Sequence, residues 1–402
     1  MERALLESSL GFRLKYSTSG IDENRRLPGL AFADDVVLMA ESKAELQALL
    51  DICATEMTSL GLRFNAKKTK VVPFAGNMAE SVDLKLGSES IALETTYKYL
   101  GVLLCSEASI YNQQEAHIRQ ASLRAQCILR RRILWGCNRF IMVRDIWKLV
   151  HVPCLTFANA VCMTAATREW LERRQREVGR TALACHGRVA DESVQGDLGW
   201  SCFEARKASS KLVYRGRLQF MCRERWARQV FEYLAATCIR TSWVNRVYRL
   251  EKKYTSGAPG VRDKEEELWQ QAMSGKVTLE LYRSSKGTIG SVRMYDNSTG
   301  SSLLLEARAG ALQTLTYKRT IDREMASVLC RACGSADETI AHLVIECGQI
   351  GLPRTESLRT ALGFAGEDGE TDVQAARVSM RRLERWRAVV VAQRSRTQGG
   401  AV

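Results

Sequence analysis

The sequence predicts an α+β fold in three parts: antiparallel strands with a packed helix over residues 1–104, a mainly α-helical stretch, and a small C-terminal region organised around cysteine and histidine. Three observations predict it. Short apolar runs with period-two spacing alternate with turn residues as far as Leu104. From about Ser106 to Leu250 the pattern is mostly helical, and only five prolines interrupt 402 residues, so long helices are permitted nearly everywhere. Finally, three of thirteen cysteines and one of four histidines fall between Cys330 and Cys347.

A chain of 402 residues is too long for one ordinary core, so two or three domains are expected. The net charge of +14 and pI near 9.3 favour a polyanionic partner, with nucleic acid ahead of an anionic membrane surface. "MERALLESSLGFRLKY" is too charged for a signal peptide, and the most apolar window, Val150 to Met163, is broken by His151, Pro153 and Asn159. A soluble intracellular chain without a membrane partner is the expectation. An odd number of scattered cysteines does not make a disulfide framework, so most are read as buried thiols.

The elements follow in order. "GLAFADDVVLMA" reads as two short strands joined at Asp34 and Asp35, a hairpin with the carboxylates at its tip. A helix starts at Ser42, with Ser42 and Glu45 at capping-box spacing. Leu46, Leu49, Leu50, Cys53, Met57 and Leu60 form its apolar stripe, and Gly61 closes it. "KVVPF", "VDLKLGSESIAL" with a Gly-Ser turn, and "YKYLGVLL" read as strands. Residues 254–263, "YTSGAPGVRD", form the linker candidate. Beyond it come the acidic helix "KEEELWQQAM", two or three weak strands, the Cys/His cluster, and a basic helix around "MRRLERWRAVVV".

Two adjacent acids repel unless something cationic lies beside them. Mg²⁺ suits Asp34 and Asp35, because it takes hard oxygen ligands from one or two carboxylates plus substrate phosphates. In a two-metal site such ions serve in-line phosphoryl transfer. The same dipeptide is also common in solvated surface turns. "HIRQASLRAQCILRRRILWGCNRF", His117 to Phe140, carries six arginines and no acid. Read as one helix, it gathers Ile118, Ala121, Ala125, Ile128, Leu129 and Ile133 on one arc. Arg119, Arg124, Arg130 and Arg131 lie opposite, where they could meet phosphates or merely solvent. Arg132 falls on the apolar side. Glu169 with Arg173 and Glu172 with Arg176 stand at i, i+4 and read as a structural charge pattern. Cys330, Cys333, His342 and Cys347 stand as C-x2-C-x8-H-x4-C, the spacing of a closed structural Zn²⁺ site whose metal would fold the segment.

"FADD" with apolar flanks, the capped helix, "GLRFNAKKTKVV" and "YKYLGVLL", in this order, resemble the second half of the palm of a non-LTR (LINE-like) retrotransposon reverse transcriptase. The resemblance implies that Asp34 is a metal ligand and Asp35 its neighbour. It places Lys68, in a motif matched by Gly61, Leu62, Asn65, Lys68 and Thr69, at the incoming nucleotide's phosphates. Tyr97, Tyr99 and Gly101 would belong to a primer-gripping hairpin, and Arg119, Arg124, Arg130 and Arg131 to a helical thumb around template and primer. The Cys/His segment is similar to the CCHC motif downstream of the polymerase in many such elements.

The resemblance thus implies the C-terminal part of an RNA-directed DNA polymerase. It would use two Mg²⁺ and one structural Zn²⁺, with RNA template, DNA primer and deoxynucleoside triphosphates as partners. A further aspartate from an earlier palm strand, which that family requires, is not matched within the 33 residues before Asp34. The expected organisation is a partial palm (1–104), helical thumb and connection (105–253), linker (254–263), C-terminal region with the zinc knuckle (264–375), and basic helix and tail (376–402). The implied location is intracellular, and nuclear during integration. The alternative is a non-catalytic nucleic-acid-binding zinc protein derived from such an element.

Overall fold

The computed structural model describes residues 1–18, 21–74, 83–107, 109–131, 136–237, 243–255, 260–364 and 369–399. Helix α1 (Glu2–Glu7) is followed by β1 (Phe12–Thr18), β2 (Ile21–Leu27), β3 (Gly29–Phe32), β4 (Asp35–Leu38) and α2 (Lys43–Ser59). Short strands then come in series: β5 (Lys70–Val71), β6 (Lys85–Leu86), β7 (Glu89–Ser90), β8 (Ala92–Leu93), β9 (Thr96–Tyr99) and β10 (Val102–Cys105). The helical part opens with α3 (Asn112–Leu129) and α4 (Arg139–Ile146), a π-helical turn (Trp147–His151), α5 (Val152–Leu155), α6 (Asn159–Cys162), α7 (Ala165–Leu183) and α8 (Asp191–Leu198). It continues through α9 (Phe203–Gln219), α10 (Trp226–Ala236), α11 (Trp243–Tyr254), α12 (Val261–Ser274) and α13 (Glu280–Ser285). Last come α14 (Thr299–Arg308), α15 (Leu315–Ile321), a second π-helical turn (His342–Glu346), α16 (Leu358–Ala361) and α17 (Gly369–Gly399).

The fold is mixed α and β, and its sheets among the described residues are all two-stranded. β1–β2, β3–β4, β6–β7 and β9–β10 pair antiparallel, whereas β5 and β8 pair parallel, against the all-antiparallel expectation. Helix α2 ties several of these pieces together. The Ser42 hydroxyl accepts from the Glu45 amide at 3.2 Å, the forward half of the capping box. The return half is displaced: the Glu45 carboxylate accepts from the Glu41 amide (3.3 Å) and pairs with Arg26 (2.8 Å). At the other end Gly61 has φ +70°, Leu62 N–H reaches the Met57 carbonyl and Gly61 N–H that of Thr58, which closes the helix as a Schellman motif.

Of the expected stripe, Leu49, Leu50 and Cys53 are buried, but Leu60 is exposed because, as the cap residue, it has already left the helical face. Leu5, Leu49 and Cys53 form one small core and Leu50, Leu84 and Ile91 another, with Leu38 of β4 packed against both. Leu14, Tyr16 and Leu27 form a third with Trp226, Val230 and Tyr233 of α10.

Two compact units divide the chain: Met1–Ile118, Ala158–Met163 and Lys207–Ser256 form one, and Arg119–Phe157, Thr164–Arg206 and Gly257–Val402 the other. In the second unit Trp147, Trp200 and Phe203 pack ring against ring, and α14 packs along α17. At its centre the fully buried Asp197 accepts from Arg308 at 3.0 and 3.1 Å, from Tyr282 at 2.8 Å and from Tyr295. Burial pushes the Asp197 carboxyl up, but the Arg308 and Lys286 charges outweigh it and hold it below the usual carboxylate range.

Three expectations are corrected. The basic helix does not run from His117 to Phe140: α3 ends at Leu129, and a new helix starts at Asn138, whose side chain accepts from the Ile141 amide at 3.2 Å. Arg132 and Ile133 lie outside the described residues. The weak strands expected beyond residue 263 are not formed among the described residues, which hold only an isolated bridge between Leu329 and Asp337. The sequence "VTLELYRSS" instead coils, because Leu279 and Tyr282, three residues apart, are both fully buried. The i, i+4 pairs on α7 do not form as pairs: Glu169 takes Arg168, Arg176 takes Asp191, and the Glu172 carboxylate accepts from the Glu204 amide. In the linker candidate, residues 256–259 lie outside the described residues, and α11 and α12 reach in from either side.

Candidate active site and metal centre

Residue Phe32 pairs with Asp35, leaving Ala33 and Asp34 as a two-residue loop between β3 and β4. Ala33 has φ +53° and Asp34 does not have positive φ. That is the pattern of a II′ hairpin turn, whose first loop position glycine usually fills. Both carboxylates are exposed at the tip, as is Phe32 at 62%. The other end is anchored: Leu38 enters the α2 cores and Met39 N–H donates to the Pro28 carbonyl at 2.9 Å. The two acids at the tip are thereby held on a short lever rooted in packed side chains.

A second hairpin joins β9 to β10 through Leu100 (φ +46°) and Gly101 (φ +85°), with Tyr99 opposite Val102. Positive φ at both loop positions marks a I′ turn, so Gly101 serves the backbone first. Tyr97 is exposed and Tyr99 half-buried. Burial, and after it the negative charge of Asp35, pushes the Tyr99 phenol up. The Leu103 amide donates to Gln114 of α3 at 2.9 Å and fixes the hairpin's outer strand.

The Asn65–Thr69 turn explains its own spacing. Asn65 accepts from the Lys68 amide through both its side chain (3.2 Å) and its carbonyl (3.0 Å), and the same carbonyl takes the Thr69 amide and hydroxyl. Ala66 is buried beneath the turn and Lys68 stands exposed on it. Among the described residues no ion pair joins Lys68 to Asp34 or Asp35.

Residues 14–104 match the family model described as reverse transcriptase (RNA-dependent DNA polymerase). Over this segment the chain is similar to reverse transcriptases. The segment contains both hairpins, α2 and the Asn65–Thr69 turn, so Asp34, Asp35, Lys68, Tyr97, Tyr99 and Gly101 all fall inside the reverse transcriptase match. Reverse transcriptases as a family act on nucleic-acid template and deoxynucleoside triphosphates and generally use Mg²⁺, for which two exposed carboxylates are a fitting hard-oxygen donor set. No curated protein matches the chain. Arg119, Arg124, Arg130 and Arg131 lie outside the matched segment, in the second unit. Arg124, Arg130 and Arg131 are exposed, with Arg130 4.0 Å from Glu177, while Arg119 is half-buried.

The Cys330, Cys333, His342 and Cys347 ligand atoms all lie within 4.8 Å of one another. Cys330 Sγ is 4.0 Å from Cys347 Sγ, and Cys333 Sγ is 3.3 Å from His342 Nε2. Gly334 N–H donates to the Cys330 carbonyl at 2.7 Å and tightens the knuckle, and the second π-helical turn carries His342 to Cys347. Hydrogen bonds from Ser335 bring the Cys333 thiol down to about 6, whereas burial pushes Cys330 up to about 11. Three soft sulfur donors and one imidazole at this separation fit Zn²⁺ with no open position.

Several residues that support this centre were not among the sequence candidates. Glu346 Oε2 lies 3.3 Å from His342 Nδ1; a His-x3-Glu spacing on a helical turn is the signal that could have found it. Glu338, fully buried, takes Arg331 through Nε and Nη2 (2.5–3.1 Å), Trp386 Nε1 (3.1 Å) and the Leu315 amide (2.9 Å). Buried Arg382 donates to the carbonyls of Leu343 (3.0 Å), Cys347 (2.9 Å) and Leu352 (2.7 Å). The knuckle is therefore bound into the unit by α17; it is not a free-standing segment.

Proposed function

We propose that this chain is the C-terminal part of an RNA-directed DNA polymerase of a non-LTR retrotransposon: palm remainder, helical thumb and a zinc-knuckle region. The observation that carries the reading is the Asp34–Asp35 hairpin tip inside the reverse transcriptase match, with Tyr99 of the neighbouring hairpin in the field of Asp35. Asp34 and Asp35 would hold Mg²⁺, which when bound neutralises charge developing on the phosphates and activates the attacking 3′ hydroxyl. Lys68 offsets phosphate charge or donates a proton to the leaving pyrophosphate. Tyr97, Tyr99 and Gly101 steady the primer end, and Arg124, Arg130 and Arg131 hold phosphates of the duplex. Cys330, Cys333, His342 and Cys347 hold Zn²⁺ in a structural role.

Primer extension on an RNA template with Mg²⁺ tests the reading. Incorporation abolished by Asp34→Asn and lowered by Lys68→Ala is expected. A second reading, a non-catalytic nucleic-acid-binding zinc protein, is favoured by the +14 charge and the exposed Arg124, Arg130 and Arg131. Salt-sensitive binding of primer-template without incorporation would select it and overturn the first.

A further inference from the structure

The end of helix α9 and the loop that leads from it to α10 carry a surface that the catalytic reading leaves unused. Val213, Gly216, Arg217 and Phe220 stand at i, i+3, i+4 and i+7, which sets them on one face of the closing turns. Phe220 lies one residue past α9 but still bonds helically, its amide reaching the Gly216 carbonyl at 3.2 Å. Its side chain is 93% exposed, and Val213 and Arg217 on the same face are exposed with it. A methyl group at Gly216 would meet nothing within 4 Å, so a partner can come close to the helix backbone at that turn.

The loop beneath the ring is held in shape. Arg228 of α10, itself paired with Glu232 at 2.7 Å, donates to the carbonyls of Leu218 (3.1 Å) and Gln219, which covers the negative end of α9. The Arg225 amide reaches back to the Cys222 carbonyl at 3.1 Å, and buried Gln229 donates to the carbonyls of Arg223 and Glu224, both at 3.2 Å. Helix α10 is in turn seated on the Leu14, Tyr16 and Leu27 core through Trp226 and Val230. Phe220 thus adds no buried area to the fold, yet it is presented on a fixed backbone.

Arg217, Arg223 and Arg225 are exposed, and among the described residues no ion pair engages them. Glu224, the only acid from Arg217 to Arg225, takes the Cys222 thiol, and three arginines against one glutamate leave the segment positive. Arg217 lies one helical turn below Phe220, and chain connectivity keeps the Arg223 backbone within about 11 Å of it. An aromatic face flanked by unpaired guanidinium groups suits a single strand of nucleic acid, in which a base can stack on the ring while the phosphates beside it meet the arginines. A duplex keeps its bases stacked on one another and offers the ring none.

We propose that Phe220, Arg217, Arg223 and Arg225 form a contact site for single-stranded nucleic acid, with one base stacked on the Phe220 ring and the arginines on the flanking phosphates. The inference rests on the nucleic-acid reading above but not on polymerase activity.

The test is equilibrium binding of a labelled oligouridylate, and of an RNA duplex of the same length, to the full chain over a range of salt. Phe220→Ala is expected to weaken single-strand binding about 10-fold with its salt slope unchanged, because a stacked base but no phosphate contact is lost. Phe220→Trp keeps the affinity, Phe220→Leu, apolar without a flat ring, does not, and duplex binding is unaltered in all three. The Arg217→Gln, Arg223→Gln, Arg225→Gln triple variant lowers the slope of log affinity against log salt by about two. All the substituted side chains are exposed, and an unchanged thermal midpoint confirms that the variants fold. Single-strand affinity unchanged in Phe220→Ala, an equal loss on the duplex, or a leucine variant as good as the tryptophan one overturns the proposal. So does loss of binding to phosphatidylserine vesicles with RNA binding intact, which would make the loop a lipid contact. An unaltered chain that binds neither RNA refutes the nucleic-acid reading and this inference with it, whereas failure of primer extension alone leaves the stacking result standing.

Discussion

The carboxylate of Glu346 lies 3.3 Å from Nδ1 of His342, four residues back on the same π-helical turn. An acceptor at Nδ1 selects the tautomer that leaves Nε2, the atom facing Cys333, as the metal donor. Glu346→Ala is expected to weaken Zn²⁺ binding about 10- to 100-fold while the four ligands stay in place. Competition with a chromophoric chelator measures it, and unchanged affinity would show that the contact is incidental.

Ala33 occupies a left-handed loop position, φ +53°, next to Asp34. A β-branched side chain there meets the backbone far more severely than a methyl group does. Ala33→Val should therefore cost about 1–2 kcal/mol of stability, and Ala33→Gly should be nearly neutral, relief of strain offsetting the added freedom of the unfolded chain. Denaturant midpoints distinguish the pair; equal effects would mean that the turn relaxes.

Lys211, 1% exposed, donates to the carbonyls of Ala160 (2.9 Å) and Val161 (3.4 Å). Burial, helped by the Lys207 and Arg246 charges, pushes its ammonium from 10.5 down to about 7. Between those two values the unfolded chain binds the proton and the folded chain does not. Stability should thus rise with pH across this window, by at most about 1.4 kcal/mol per pH unit from this group, and be lowest below pH 7. Lys211→Met should flatten that rise in a series of unfolding curves; an unaltered pH profile would assign it to other groups.

Arg308 is the nearer of two cations beside the buried Asp197, at 3.0 Å against 3.8 Å for Lys286. Arg308→Met alone should destabilise the second unit by about 3–5 kcal/mol, whereas Arg308→Met combined with Asp197→Leu should cost clearly less. Thermal unfolding of the three proteins tests the difference. Because the Asp197 carboxyl is held below its ordinary value of 3.8, its contribution is present above that value and lost as pH falls through the lower folded one.

What could be read from the sequence was local. The Asp34–Asp35 hairpin, the Ser42 cap, the Gly61 closure and the Cys/His spacing are each decided within a few residues by turn chemistry, capping or ligand geometry. The end of α3 was missed because the apolar arc continues past it, while the deciding group, Asn138, acts as a cap only once the next helix exists. The weak strands failed for a related reason: Leu279 and Tyr282 are apolar in either reading, and only their shared burial decides for a helical turn. Asp197 and Arg382 were out of reach altogether, since their partners lie 111 and 39 residues away in sequence, as was the contact of Glu338 with Trp386 across 48 residues. The capping glutamate shows the middle case, with the right residue at the right place bonded to Arg26 and Glu41 instead of closing the box.

Arg382 carries a temporal implication for biosynthesis. The carbonyls it gathers, those of Leu343, Cys347 and Leu352, belong to chain that emerges from the ribosome before the guanidinium that secures them. Those carbonyls are therefore secured only once α17 has been made, so the order of synthesis leaves the knuckle segment without its guanidinium clasp until the last stretch of chain emerges.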